Sequence, residues 1–74
     1  MTAAAILTET VIVIENPRGY APALLARLER ALEEHAPARP DPRHPQTFLI
    51  DRGGDHFYIA PLPTGKIVLL AHWR

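Results

Sequence analysis

Apolar residues change their rhythm along the chain, and each rhythm predicts a different element. The run Val11-Ile12-Val13-Ile14 is unbroken and β-branched, which predicts a strand over Leu7 to Glu15. Because side chains alternate faces, Val11 and Val13 point one way and Ile12 and Ile14 the other, so both faces of the sheet are apolar here. Asn16-Pro17-Arg18-Gly19 ends that strand with turn residues. From Pro22 to His35 the apolar positions Leu24, Leu25, Leu28, Ala31 and Leu32 recur at helical spacing, opposite Arg27, Glu29, Arg30, Glu33 and Glu34. The pattern predicts an amphipathic helix that opens on Pro22, whose missing N–H costs nothing in the first turn, and closes before Pro37.

Beyond the helix, Pro37, Pro40, Pro42 and Pro45 fix their own φ and restrict the residue before each, so this stretch reads as a stiff, extended strap laid against the body of the protein. Short strands are then expected over Thr47 to Ile50, His56 to Ala60 and Lys66 to Trp73, joined by Asp51-Arg52-Gly53-Gly54-Asp55 and Pro61-Leu62-Pro63-Thr64-Gly65. The expected fold is a single α+β domain over residues 1–74. An antiparallel-rich sheet of about four strands carries one helix on one face, in the order β-α-β-β-β.

Size changes what this pattern means. A chain of 74 residues without Cys has neither disulfide nor thiolate-bound zinc to reinforce a small core, which leaves another protein chain as the candidate reinforcement. The sheet is apolar on both faces while one helix covers only one, so Ile12, Ile14, Tyr58, Val68 and Leu70 are the expected interface of a homodimer or of a subunit in a complex. Eight basic residues balance eight acidic ones, which argues against a nucleic-acid backbone as partner. Seven Arg against one Lys, with abundant Ala and Pro, reads as coding bias before chemistry. The apolar residues near the start follow no basic region and are interrupted by Thr8, Glu9 and Thr10, so they do not read as a signal peptide. Together with the lack of Cys and of a membrane-length apolar run, this makes the cytoplasm the expected compartment.

Candidate chemistry concentrates in Asp51-Arg52-Gly53-Gly54-Asp55-His56. Two carboxylates and an imidazole at a turn could ligate a metal, but the spacing matches no ligand motif, and Asp and Gly are what a hairpin turn requires. No metal and no cofactor are therefore expected. Arg52 beside the N–H groups of Gly53 and Gly54 is a weaker candidate for holding an anion or small ligand. Pro63-Thr64-Gly65-Lys66 lacks the preceding glycine and the following hydroxyl of a phosphate-binding loop and reads as a hairpin turn. His35, His44, His56 and His72 fall on different elements, and His56 and His72, with Tyr58 and Arg74 close by, are the ones best placed for chemistry. The Pro-x-x-Pro spacings of the strap fit polyproline recognition, although a simple connection explains them. Tyr58 and Trp73 could stack a base, though a lone Trp ending an apolar strand more often belongs to a core or interface.

The stretch Asp51-Arg52-Gly53-Gly54-Asp55-His56-Phe57-Tyr58, followed by Ile67-Val68-Leu69-Leu70-Ala71-His72-Trp73-Arg74, resembles the terminal strands of RelE/ParE-type toxins. In that family a Gly-Asp turn leads into an aromatic strand, and the last strand ends in His and Arg. The resemblance covers the last third of the chain and implies a small RNase using His56, Tyr58, His72 and Arg74. The chain departs from the family in having one predicted helix where two are usual, and no net charge where a basic surface is usual. The function expected first is a non-catalytic interaction or regulatory module, with the RNase as the alternative.

Overall fold

The computed structural model describes Thr2 and residues 12–74. Most of the strand expected over Leu7 to Glu15, including Val11, lies outside those residues. Its described end is β1, Ile14–Glu15, preceded by a hydrogen bond from the Ile67 N–H to the Val13 carbonyl at 2.9 Å. The chain continues through α1 (Pro22–Glu33), β2 (Ala38–Pro40), β3 (Phe48–Arg52), β4 (Asp55–Pro61) and β5 (Ile67–Trp73). Among the described residues the sheet has five strands in the order β1-β5-β4-β3-β2. It is antiparallel except at β1, which lies parallel to β5 with Ile14 opposite Ile67.

Two expectations are thereby corrected. The sheet is mixed and five-stranded where about four mainly antiparallel strands were expected. The added strand is the first half of the proline strap: Ala38, Arg39 and Pro40 pair with Ile50, Leu49 and Phe48 along the sheet edge. Edge strands need only half of their N–H groups, so Pro40 costs the ladder little there. The second half of the strap is turned and not extended, since the His44 N–H reaches the Asp41 carbonyl and the Thr47 N–H reaches the His44 carbonyl.

The helix begins on Pro22 and ends in a left-handed residue, His35, at φ 57. The Ala36 N–H returns to the Ala31 carbonyl at 2.9 Å and the His35 N–H to that of Leu32 at 3.3 Å, a Schellman closure normally built on glycine. Leu24, Leu28, Ala31 and Leu32 face inward against Ile50, Phe57, Ile59, Ile67 and Leu69, and this is the core. Each fully buried large apolar side chain contributes about 1.5–3 kcal/mol. Ile12 and Ile14 pack against the same cluster, on the helix side of the sheet. They therefore lie apart from Tyr58, Val68 and Leu70, with which they were expected to form one surface; Val13, next to them, is 42% exposed.

A β-bulge sets the faces of β5. Tyr58 lies opposite Ala71 and Ile59 opposite Leu69, so Leu70 is the extra residue. Strict alternation would place His72 with Val68 and Leu70, away from the helix. The extra residue resets the count and turns His72 toward the helix, opposite Phe57. Among the described residues no helix is long and apolar enough to cross a membrane.

Candidate functional site

On the helix side, three elements meet at one carboxylate. Asp55 opens β4 after the Gly53-Gly54 turn, whose positive φ values of 57 and 85 both require or favour glycine. The residue is 2% exposed. Arg27 of α1 donates through Nε to Oδ2 at 2.8 Å, His72 Nε2 lies 2.7 Å from Oδ1, and Arg74 Nε lies 3.3 Å from the same oxygen. The Arg27 hydrogen bond, reinforced by His72 and by the nearby Arg74 charge, outweighs burial and brings the Asp55 carboxyl down to about 2. His72 is held further by Phe57, with ring centroids 5.2 Å apart, and by Tyr20, whose hydroxyl accepts the His72 backbone N–H at 3.2 Å. Asn16 fixes Tyr20 in turn by clamping its backbone at both N–H and carbonyl.

Asp55 was read from sequence as a turn residue. It is instead the tie between helix and sheet, with a cationic partner on each oxygen. Arg52, the proposed anion holder, is occupied: its guanidinium forms a two-pronged pair with Glu34 at 2.7 and 3.0 Å. The Gly53 carbonyl accepts from Arg74 at 3.1 Å. Among the described residues no group of three or more His, Cys, Asp or Glu side chains is arranged to hold a metal ion.

The opposite face carries a second set. His56 lies opposite Asp51 and Trp73 in the ladder, with Nδ1 2.5 Å from Asp51 Oδ1 and its ring stacked on Trp73 at 5.7 Å. Tyr58 donates to Asp41 Oδ2 at 2.8 Å and lies 2.9 Å from Thr47 Oγ1. The Arg43 backbone N–H, followed by the Tyr58 hydroxyl, holds the Asp41 carboxyl below its usual range. Arg39, Pro40, Asp41, Arg43, His44, Leu49, Tyr58 and Trp73 line a cleft of about 510 Å³.

His56 and Tyr58 therefore stand on one face of the sheet, and His72 and Arg74 converge on Asp55 at the other. The structure does not gather the four into one cleft. His35 closes the helix and His44 stands in the turn after β2, so neither joins the Asp55 cluster. Sequence reading missed Arg27 and Asp41. Arg27 sits among the apolar positions Leu24, Leu28 and Ala31, and a cation on the flank of a buried stripe was the available signal. Nothing local distinguished Asp41 from any polar turn residue.

Comparison of the chain with protein families, with curated proteins and with solved structures finds no match in any of the three.

Proposed function

We propose that the protein is a small, non-catalytic interaction module that acts in the cytoplasm as a homodimer, or as a subunit of a larger complex, through the sheet face opposite the helix. The observation that carries the reading is the apolar patch of that face. Val13 is 42% exposed, and the half-buried Val68 and Leu70 belong to the neighbouring strand. Leu70 is the bulged residue, so the irregularity of β5 adds an apolar side chain to this surface. The patch is bordered by Glu15, which lies opposite Val68 and is paired with Lys66 at 3.7 Å, so it can face its own copy, and a chain with no net charge meets no long-range repulsion in doing so. The buried carboxylate fits the same reading, since it is fully paired and ties the helix to the sheet.

Sedimentation equilibrium at micromolar concentration tests it. A dimer is expected, and Leu70→Glu is expected to sediment as a folded monomer, because a charge in the centre of an apolar interface is desolvated without a partner. A wild-type chain that remains a folded, monodisperse monomer overturns self-association.

A further inference from the structure

The cleft lies at the other end of the open face from Val68 and has a different character. Its floor and wall are flat and apolar: Leu49 and Tyr58 on adjacent strands, Pro40 at the edge, and Trp73, which is 46% exposed. Trp73 is stacked on the His56 ring, which restricts its indole. The rim is cationic. The Arg43 side chain is 87% exposed and its Nε comes no nearer than 3.9 Å to Asp41, while Arg39 is 65% exposed and touches Asp51 through a single nitrogen at 3.2 Å. Both guanidinium groups retain free donors. Asp41, the one carboxylate lining the cleft among the described residues, already accepts the Tyr58 hydroxyl and the Arg43 backbone N–H.

A flat apolar floor selects a planar ring, and a rim of spare Arg donors selects an anion. We propose that this cleft binds a small ligand consisting of an aromatic ring that bears an anionic group, of the size of a nucleoside monophosphate. A volume of about 510 Å³ falls within the range of small-molecule sites, and the ring would lie along Tyr58 and Trp73 with its anionic group between Arg39 and Arg43. This inference goes beyond self-association and does not depend on it. The anionic group can be a phosphate or a carboxylate, and the same experiment separates the two.

Trp73 is the sole Trp, so a ¹⁵N-labelled chain gives one indole N–H signal, located at the site. The full chain is titrated with AMP, with adenosine, with ribose 5-phosphate and with 4-hydroxybenzoate. AMP or 4-hydroxybenzoate is expected to move the indole signal saturably, and the tighter of the two identifies the anion as phosphate or carboxylate. Adenosine and ribose 5-phosphate, each lacking one half of the recognised chemistry, are expected to bind at least about tenfold more weakly than AMP if phosphate is the anion. The Arg39→Ala/Arg43→Ala double variant is expected to weaken the better ligand at least about tenfold while keeping a folded spectrum. Its sedimentation is expected to match wild type, which separates this result from failure of the dimer. No saturable shift with AMP or 4-hydroxybenzoate at millimolar concentration overturns the proposal. So does undiminished binding to the double variant.

Discussion

On the helix side of the sheet, Arg27, His72 and Arg74 all converge on Asp55, whose carboxylate is buried although the Arg27 and Arg74 side chains reach solvent. On the open side, Asp51 meets His56 and Arg39 with side chains that remain about a third exposed or more, and Asp41 meets Tyr58 at the mouth of a cleft. The residue types are nearly the same. What differs is whether water reaches the carboxylate: the buried one, paired on both oxygens, ties helix to sheet, whereas the half-exposed one holds its partners more weakly.

Removing the closed carboxylate is expected to have the largest effect. Asp55→Ala leaves Arg27, His72 and Arg74 facing one another without their anion and should lower unfolding free energy by roughly 3 kcal/mol, read from urea melts. A loss below about 1 kcal/mol would mean that the helix-side cluster is as weak as the wet one.

Acid sharpens the same contrast. A carboxyl with a folded pKa below its unfolded value contributes stability that is fully present above the unfolded pKa, about 4 for Asp, and is lost as pH falls through the folded value. For Asp55 that window runs down to about 2. Glu34, lowered by its Arg52 hydrogen bond, and Asp41 lose their contributions in the same direction. Stability is therefore expected to decline steadily below pH about 4, and Asp55→Asn, measured across the same range, should flatten most of that decline.

A smaller effect separates backbone from charge. His35 holds the left-handed position that closes α1, and its substitution by Gly relieves that conformation without touching either polar set. His35→Gly is expected to raise stability by about 0.7 kcal/mol, visible as a small rise in melting temperature. Smallest of all is Asp51→Ala, which removes only half-exposed partners and should cost about 0.5 kcal/mol. Should it cost as much as Asp55→Ala, the distinction between the faces fails.

Much of the framework was legible in the chain because periodicity reports burial directly: the Leu24-Leu28-Leu32 stripe announced α1, and the later strands followed from alternation between glycine turns. What escaped reading depended on contacts distant in sequence. The fifth strand was hidden because Pro40 argues against a strand everywhere except at an edge, and edge position is a property of the assembled sheet. His72 was assigned no face, since a bulge at Leu70 looks like any other apolar residue until Ala71 is found opposite Tyr58. Arg27 and Asp55 stand 28 residues apart, so neither announces the other. The division of His56, Tyr58, His72 and Arg74 between two faces follows from that same bulge.

The parallel pairing of β1 with β5 has a consequence for how the protein is made. Ile14 leaves the ribosome long before Ile67, its partner, and every other described element is synthesised in between. During that interval α1 and the β2-β3-β4 ladder can assemble from near neighbours, while β1 has no strand beside it. Closure of the sheet is thus deferred until β5 emerges, and Ile12, Val13 and Ile14 stay without their strand partner until then.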